Sequence, residues 1–402
     1  MLKDKIYNFR SSFPIFKKNP QLVYFDTAAT SLKPYKMINT MTDFYQNNGL
    51  NIRGTNPLNL QNEKTLERIR QKTASFVKAE LEEIIFTKGA TDSLNIIAQI
   101  LYPLVNQKDE IIVSSLEHNS SFLPWLEVAN QKKANLVFIP LDQHHQIKID
   151  NFQTILSNKT KIVVLTHISN VLGHITPIKE ITTLAHKQKA LVVLDASQSV
   201  AHIPLDVKDL GIDFMAFSTH KAYGPFGLGV LFGKKKFLKK CKPPFVGGGS
   251  VKEVNIEKKN FIFNDLPYKW SPGTPNIGSI IAWEKSLEFM EDIGLNNIFK
   301  YENQITKQIF HKLIKIPRIK IFNSQITNII NFNFLNLNSH DVENFLSQDN
   351  IYVRTGHHCS HLSSNQIKAT NTIRISVGIH NNEQDVDLLI NSLKKVYNFF
   401  LK

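Results

Sequence analysis

The residues most suggestive of chemistry are a lysine and an aspartate that each follow an apolar run. Asp195 ends the run "ALVVLD", and Lys221 comes three residues after "IDFMAFS". A carboxylate at the end of a buried strand must be hydrogen-bonded or paired, because its burial would otherwise be costly. A shielded amine can act as a nucleophile toward an aldehyde, and a carboxylate can keep a pyridine nitrogen protonated. The pair therefore predicts a pyridoxal phosphate site, although Asp195 taken alone fits a helix N-cap equally well.

A phosphate group needs its own set of donors, and "FTKGATDSLN" (86–95) supplies a candidate. Gly89 permits a tight turn, and Thr91 adds a hydroxyl close to the free backbone N–H groups of a helix start, which attract anions. Ser218 and His220, just before Lys221, add further donors from a neighbouring strand end.

Two more polar side chains follow apolar runs. His118 comes just after "EIIVSSL", where an imidazole could stack on a cofactor ring, although a histidine satisfied within the core explains the position as well. Asn170 comes just after "KIVVLTHIS", where its amide could bind a ring hydroxyl or a substrate carboxylate.

Short apolar runs alternate with helical stretches between residues 80 and 235. Most of these runs are apolar throughout, which is typical of a mostly parallel sheet buried on both faces between helices. Ligands bind such sheets beyond the carboxyl ends of the strands, where the residues above lie. The predicted strands are 83–87, 110–116, 135–141, 161–169, 190–197, 212–218 and 227–233. The predicted helices include 91–101 and 176–188, the second with Thr176 as N-cap and Pro177 as the first helical residue.

The pattern changes near residue 291, which predicts a second, smaller α+β lobe around an antiparallel sheet. The chain has 402 residues, enough for a large α/β core and such a lobe. We expect an α/β fold with a large domain at 17–290, and a small domain formed by 1–16 and 291–402.

Composition excludes several classes of protein. Two cysteines in 402 residues cannot form a disulfide framework. The first nineteen residues lack the apolar segment of a secretory signal, and no apolar run approaches the roughly 18 residues of a membrane span. Lysine and arginine (48) outnumber aspartate and glutamate (34), for a net charge of +14, but the lysines are scattered and no nucleic-acid motif surrounds them. We expect a cytoplasmic protein that binds neither membrane nor nucleic acid.

Motifs spread along nearly the whole chain carry a family resemblance. Together they resemble the class V aminotransferase family of fold type I pyridoxal phosphate enzymes, and within it the Suf-type cysteine desulfurases. The segments are "YFDTAATS" (24–31), "FTKGATDSLN", "LEHNSSFLPW", "SNVLGHITPIKEI" (169–181), "DASQSVAHIPLDV" (195–207), "FSTHKAYGPFGLGVLFG" (217–233), "VGGGS" (246–250), "SPGTPN" (271–276) and "YVRTGHHCS" (352–360).

The resemblance implies a role for each matching residue around the cofactor. Lys221 would be the Schiff-base lysine and Asp195 the partner of the pyridine nitrogen. Gln198 would bind the ring hydroxyl, and His118 would stack on the ring. The phosphate-binding residues would be Ala90 (where a threonine is common), Thr91, Ser218, His220 and, from the other subunit of a homodimer, Thr274.

The resemblance also implies a substrate, L-cysteine, and a sulfur-carrying residue. Arg374 would bind the substrate carboxylate as a bidentate pair, with Asn170, Arg53 and Arg354 nearby. The Cys359 thiolate would attack the substrate sulfur, giving L-alanine and a persulfide for iron–sulfur cluster assembly. We expect a basic setting from Arg354, His357, His358 and His361 to favour that thiolate.

One segment departs from the family pattern. Suf-type relatives usually carry Asn-Val-His-Arg-Gly-x-His near the substrate, whereas "NIRGTNPL" (51–58) is one residue shorter and has Asn56 in place of the second histidine. The departure puts substrate gating at this edge in question.

The sulfur acceptor is the least determined feature. His340 begins a predicted helix, with Ser339 as a plausible N-cap. The family has two kinds of acceptor, a small helper protein without a metal and a zinc-bound transfer protein. In relatives that use the zinc-bound acceptor, a histidine at this place becomes a transient zinc ligand, whereas a solvated histidine explains the position equally well. No metal is expected in the enzyme itself.

Other functions remain open at this stage. The chain could be a selenocysteine lyase or cysteine-sulfinate lyase, a class V transaminase, or a basic scaffold protein with a vestigial enzyme core. The intact set of Lys221, Asp195 and Cys359 argues against the scaffold.

Overall fold

The computed structural model describes residues 9–402, so residues 1–8 of the predicted small domain and N-terminus lie outside the described residues. In chain order the strands are β1 Val23–Tyr24, β2 Ile84–Thr87, β3 Glu110–Ser114, β4 Asn135–Ile139, β5 Thr160–Thr166, β6 Leu191–Asp195, β7 Phe214–Ser218, β8 Gly229–Gly233, β9 Val251–Asn255, β10 Asn260–Phe263, β11 Ile319–Ile321, β12 Ile329–Phe334, β13 Ile351–Tyr352, β14 Arg354–Gly356 and β15 Thr372–Ser376.

Helices connect most of these strands. They are α1 Ile15–Lys18, α2 Tyr35–Asn47, α3 Pro57–Val77, α4 Ala90–Leu101, α5 Asn119–Lys132, α6 Ile149–Ile155, α7 Ile178–Lys187, α8 Val207–Leu210, α9 Lys235–Lys240, α10 Ile277–Ile293, α11 Leu295–Leu313, α12 Ser339–Gln348, α13 His361–Gln366 and α14 Glu383–Phe400.

The large sheet has seven strands in the order β2-β8-β7-β6-β5-β3-β4. The pairs formed by β3 to β7 are parallel, and β8 runs antiparallel to both β2 and β7. The predicted α/β fold with a mostly parallel seven-stranded sheet is therefore confirmed. Each of the seven apolar runs overlaps one of the strands.

Alternate residues of these strands enter two different apolar clusters. In β3, Ile112 packs in the cluster on one face, while Ile111 and Val113 pack in the cluster on the other. Both faces are thus covered, which explains why the strands are apolar throughout rather than alternating. The strand ends are the places where polar side chains can meet.

A second sheet of four strands has the order β11-β12-β15-β14, and its pairs are antiparallel, as predicted. One face belongs to the apolar core through residues such as Phe332 and Ile375. The other face carries a polar row, because Arg354, Arg374 and Asn331 stand opposite one another on β14, β15 and β12. This polar face supplies side chains to the site described below.

The segment from Arg10 to Asp26 is bonded to the C-terminal part of the chain. Strand β1 pairs in parallel with β13, and Asp26 forms a bridge with Ser376 at the end of β15. Nearer the N-terminus, Arg10 forms an ion pair with Asp385 of α14 at 2.9 Å. The division into 17–290 and 1–16 plus 291–402 remains a prediction.

Two predicted helix caps are wrong by one residue. The hydroxyl of Thr176 donates to the Thr166 carbonyl at 2.7 Å instead of capping, and Pro177 occupies the N-cap of α7. In α12 the N-cap is Asn338, whose side chain accepts from the His340 N–H at 3.0 Å, and Ser339 is the first helical residue. Over the described residues, none of the helices combines the length and apolar character needed to span a bilayer.

Candidate active site

A cavity of about 210 Å³ lies beyond the carboxyl ends of β5, β6 and β7, facing the polar side of the small sheet. The structure brings most of the predicted site residues together here. The predicted residues that line the cavity are Ala90, Thr91, His118, Asn170, Asp195, Gln198, Ser218, His220, Lys221, Arg354, Cys359 and Arg374.

Lys221 ends a single helical turn, Thr219–Lys221, that directly follows β7. Burial of its amine lowers the lysine pKa to about 8, and the Asp195 carboxylate opposes part of that shift. The amine therefore loses its proton far more readily than an exposed lysine would, which a nucleophile or proton carrier requires. On the adjacent strand, Asp195 Oδ1 accepts from the Ser197 N–H at 2.9 Å, which fixes the carboxylate.

The start of α4 forms the anion-binding side of the cavity. Ser218 Oγ accepts from the Ala90 N–H at 2.7 Å, and the Thr91 hydroxyl lies 2.8 Å from that of Ser120. The turn before α4 packs tightly on β8, since a Cβ added at Gly229 would lie 2.5 Å from the Gly89 backbone. Close packing thus places the positive end of a twelve-residue helix beside three hydroxyl groups.

His118 is held as a neutral ring. It is the N-cap of α5, and its Nδ1 accepts from the Ser120 N–H at 3.1 Å. Burial first, and the nearby Lys221 second, lower the His118 pKa to about 4. A neutral imidazole with its Nδ1 accepting carries its proton on Nε2, and its flat face remains available for stacking.

His220 and Gln198 are fixed by neighbours in the same way. The His220 ring stacks on Phe226 at 5.3 Å, and burial lowers its pKa to about 4. The Gln198 amide nitrogen donates to the Ala28 carbonyl at 2.8 Å, which fixes the orientation of the side chain.

Arg374 lies on the polar face of the small sheet, and only part of its guanidinium group is hydrogen-bonded within the described residues. Its Nη2 binds Asp26 Oδ1 at 2.8 Å and its Nη1 donates to the Asn170 carbonyl at 3.0 Å. Its Nε and the Asn170 Oδ1 are buried without a hydrogen-bond partner among residues 9–402. Two unsatisfied buried polar atoms beside a cavity are costly unless a ligand or water meets them, so they indicate a polar ligand.

Cys359 lies at the exposed side of the cavity, on the loop after β14. Its Sγ is 3.5 Å from Arg354 Nη2, and its carbonyl accepts from the Asn119 N–H at 2.8 Å. His358 and Cys359 both have left-handed backbone, with φ of 53° and 55°. Non-glycine residues rarely adopt this conformation, and such strained positions concentrate at functional sites.

One part of the expected basic setting is wrong. Burial, with Arg374 and Arg354 adding to it, lowers the His358 pKa to about 2. Its Nε2 lies 2.8 Å from the Thr372 hydroxyl. His358 is therefore neutral and adds no positive charge near the Cys359 sulfur, whereas the Arg354 guanidinium lies 3.5 Å from it.

Among the residues predicted to bind the cofactor, the substrate or an acceptor's zinc, Arg53, Thr274 and His340 do not line this cavity. Arg53 and Thr274 line a second cavity of about 830 Å³, where Arg53 Nη1 donates to the Gly273 carbonyl at 3.1 Å. His340 is exposed, and its Nδ1 lies 2.9 Å from the Thr355 hydroxyl. Asn56, which replaces a family histidine, is the N-cap of α3 and accepts from Asn59 N–H at 2.9 Å.

Asp26 was not among the predicted site residues, although its segment was among the family motifs. Asp26 follows strand β1, so it carries the same signal, a carboxylate after a strand, that identified Asp195. Its strand is only two residues long, which makes the signal weak.

The arrangement fits one kind of ligand. An anionic group would lie at the start of α4, a protonated ring nitrogen at Asp195, and an aldehyde at Lys221. A carboxylate on a second ligand would meet Arg374. The cavity therefore has the parts needed for a phosphorylated pyridine aldehyde and an amino acid.

Comparisons with known proteins agree with this fit. The profile of the family described as Aminotransferase class-V matches residues 23–389. A probable cysteine desulfurase of Halalkalibacterium halodurans is 37% identical over 402 residues, covering 98% of each chain. A cysteine desulfurase of Wigglesworthia glossinidia brevipalpis is also 37% identical, again with 98% of each chain covered. The crystal structure of the cysteine desulfurase CsdA from Escherichia coli has a TM-score of 0.92 at 32% identity, with 98% of each chain covered.

Proposed function

This chain belongs to the class V aminotransferase family, and from that premise we propose that it is a cysteine desulfurase. Pyridoxal phosphate is its cofactor, which when bound supplies an electron sink for the amino-acid substrate. The reaction converts L-cysteine and the Cys359 thiol into L-alanine and a Cys359 persulfide. The observation that carries the proposal is that Cys359 and Lys221 line the same cavity.

Within that reaction each residue has a definable task. The Arg374 guanidinium, already oriented by Asp26, binds the substrate carboxylate. The Lys221 amine, whose pKa is lowered to about 8, moves a proton to and from the substrate carbon. Arg354, at 3.5 Å from the sulfur, stabilises the Cys359 thiolate. The thiolate forms the new S–S bond while the substrate C–S bond breaks, and the carbon left behind is protonated to alanine.

The test is to add L-cysteine to the purified protein loaded with pyridoxal phosphate, and to quantify alanine and protein-bound persulfide. Equal amounts of the two in a single turnover, on Cys359, support the proposal. The variant Cys359→Ser should keep the cofactor's visible band and lose the persulfide. Cys241→Ser is the matched control, because Cys241 lies outside the cavity and burial raises its thiol pKa.

The same assay separates the competing activities. A lyase acting on selenocysteine needs no protein thiol, so unchanged activity of Cys359→Ser toward selenocysteine would favour that function. Formation of glutamate or pyruvate without persulfide would favour a transaminase.

We further propose that the enzyme is a homodimer in which Thr274 completes the partner's phosphate site. The supporting observations are that Thr274 lies outside its own cavity, and that the nearby β9–β10 hairpin exposes Val254, Ile256 and Ile262. Apolar side chains concentrated on one hairpin are typical of a protein interface. Analytical ultracentrifugation of the wild type and of Ile256→Asp should show a dimer that the substitution weakens.

Cytoplasmic location and delivery of sulfur to iron–sulfur cluster assembly are part of the proposal, with a zinc-bound acceptor as the partner. His340 supports this partner because its Nδ1 is engaged by Thr355, which orients the ring and leaves Nε2 for a metal. In His340→Ala, basal turnover should be normal and stimulation by a zinc-containing acceptor should vanish. His311→Ala, which alters another exposed histidine, is the control. Full stimulation of the His340 variant would contradict the partner assignment.

A further inference from the structure

Four donors converge on one backbone oxygen immediately before Lys221. The carbonyl of His220 accepts from the N–H of Ser31 at 3.1 Å and from its Oγ at 2.9 Å. It also accepts from Thr30 Oγ1 at 3.0 Å and from Lys33 Nζ at 2.6 Å. A carbonyl oxygen has two lone pairs, so two donors would satisfy it. Four donors surround this oxygen, which restricts its movement from several directions.

Lys33 is the charged member of this group. Its Nζ also donates to the Ser31 carbonyl at 2.6 Å and to Thr30 Oγ1 at 3.2 Å, so the three ammonium hydrogens all have acceptors. The ring of Phe226 lies 4.9 Å away, and burial lowers the Lys33 pKa to about 7. Among the described residues no carboxylate forms an ion pair with Lys33. Its ammonium group is therefore stabilised by neutral oxygen atoms.

The bonded carbonyl belongs to the same planar peptide unit as the Lys221 nitrogen. Holding that oxygen fixes the plane, and therefore the point from which the Lys221 side chain starts. A lysine has a flexible four-carbon stem, so a fixed starting point decides how often its amine reaches one position. Reaction geometry is sensitive to such placement, since an error of about 1 Å costs about 100-fold in rate.

We propose that Lys33 is a positioning residue, which aims the Lys221 amine by holding the His220 carbonyl. The proposal rests on the proposed function, because it needs Lys221 to bind the cofactor. It assigns Lys33 no contact with substrate or cofactor, and Lys33 does not line the cavity.

The chain contains a matched lysine for comparison. Lys269 Nζ donates to the carbonyls of Cys241 at 2.6 Å, Lys239 at 3.0 Å and Leu238 at 3.3 Å, and burial lowers its pKa as well. It too lies near an aromatic ring, that of Phe263 at 5.4 Å. Lys269 thus repeats the chemistry of Lys33 at a place that does not touch the Lys221 turn.

The experiment uses cofactor-free wild type, Lys33→Met, Lys33→Arg and Lys269→Met. Pyridoxal phosphate is added, and the appearance of the visible band and the borohydride-trapped Lys221 peptide are followed over time. The pH midpoint of the band and the thermal unfolding of each cofactor-free protein are measured in parallel. Both methionine variants should unfold at a lower temperature, because each loses a set of carbonyl contacts.

Only Lys33→Met should alter the covalent step. We expect its rate of attachment to fall by about 10- to 100-fold, the range given by small errors in placement. Its band should also titrate at a shifted pH, because a displaced Lys221 nitrogen no longer keeps the same distance from the Asp195 carboxylate, which raises the Lys221 pKa. Lys33→Arg, which keeps a charged donor, should recover part of the rate.

Equal attachment rates and midpoints for Lys33→Met and Lys269→Met would overturn the proposal and leave Lys33 as a structural lysine. If Lys33→Met does not fold, Thr30→Val decides: it removes one hydroxyl from the same carbonyl and should slow attachment to a smaller extent, and an unchanged rate overturns the proposal. Failure of the wild type to form a visible band would instead contradict the proposed function.

Discussion

The lysine side of the cavity consists of buried strand ends, whereas the cysteine side is a loop open to solvent. Asp195 and Ser218 end neighbouring strands of a sheet covered on both faces. Cys359 is exposed and lies on left-handed backbone between β14 and α13. The loop is nevertheless tied down, because its backbone accepts from Asn119 at the start of α5.

The difference follows from what each side must do. Burial lowers the pKa of Lys221 to about 8 and of His118 to about 4, so protons are controlled by a low-dielectric setting. A sulfur carrier must instead meet a substrate and then pass its sulfur on, which requires an accessible thiol. Arg354 and Arg374, from the polar face of the small sheet, line the cavity that both sides share.

The largest difference between the two sides is expected from Lys221→Ala. Covalent cofactor attachment and turnover should both be lost, because Lys221 is the only lysine among residues 9–402 that lines the cavity. The cysteine side should be untouched, so Cys359 should react with iodoacetamide at the wild-type rate. Lys234→Ala, which removes a lysine bound to Asp213 outside the cavity, is the control and should retain turnover.

Acid should destabilise the folded protein through its buried histidines. Burial lowers the pKa of both His118 and His167 to about 4, against 6.5 in the unfolded chain. The stability from these neutral rings is therefore present above pH 6.5 and is lost as pH falls toward 4, on the order of 1 kcal/mol per pH unit for each ring. Glu117, whose pKa is raised to about 8, acts in the opposite direction as pH rises above 4.5.

Chemical denaturation of the cofactor-free protein between pH 4 and 7 measures this dependence. His167→Asn should reduce its slope. Equal slopes for the wild type and the His167 variant would show that the ring is not kept neutral in the folded state.

Arg374→Ala removes a guanidinium group from the cavity that the lysine side and the cysteine side share. The visible band should persist, since Arg374 has no part in holding Lys221. The KM for cysteine should rise by the equivalent of about 2–5 kcal/mol, the usual loss when one member of a buried charge pair is truncated. An unaltered KM would assign the substrate carboxylate to another cation, with Arg354, which lines the same cavity, the next candidate.

A smaller effect is expected from Asp26→Asn, which keeps the shape of the side chain beside Arg374 but removes its charge. The KM should rise by the equivalent of about 1.5 kcal/mol, the lower value for a hydrogen bond to a charged group, with the visible band unchanged. Asp385→Asn is the control, because it alters a similar buried pair with Arg10 outside the cavity. An equal rise in KM for both variants would mean a general loss of stability.

The sequence allowed prediction of what depends on short stretches of chain. Seven apolar runs predicted seven strands, because burial on both faces demands apolar residues at every position. The polar residues at their ends were identifiable for the same reason. Which strands pair in the small sheet, and which of its faces turns to the cavity, depends on contacts distant in sequence.

Three particulars escaped prediction. Asp26 and Arg374 are 348 positions apart in sequence, so neither residue predicts the contact with the other. His358 looked like a cation beside Cys359, but its burial against Thr372 keeps it neutral. The cap of α12 was displaced because Asn338 and Ser339 are both good N-cap residues, and local sequence does not distinguish them.

The pairing of β1 with β13 has a consequence for the order in which the protein becomes competent during synthesis. At about 5–20 residues per second, tens of seconds separate the emergence of Asp26 from that of Arg374. The seven-stranded sheet, which ends at residue 233, leaves the ribosome well before either β13 or Cys359. We therefore expect the nascent chain to present a folded lysine side with an unpaired β1 edge, and the reactive thiol to be made only afterwards.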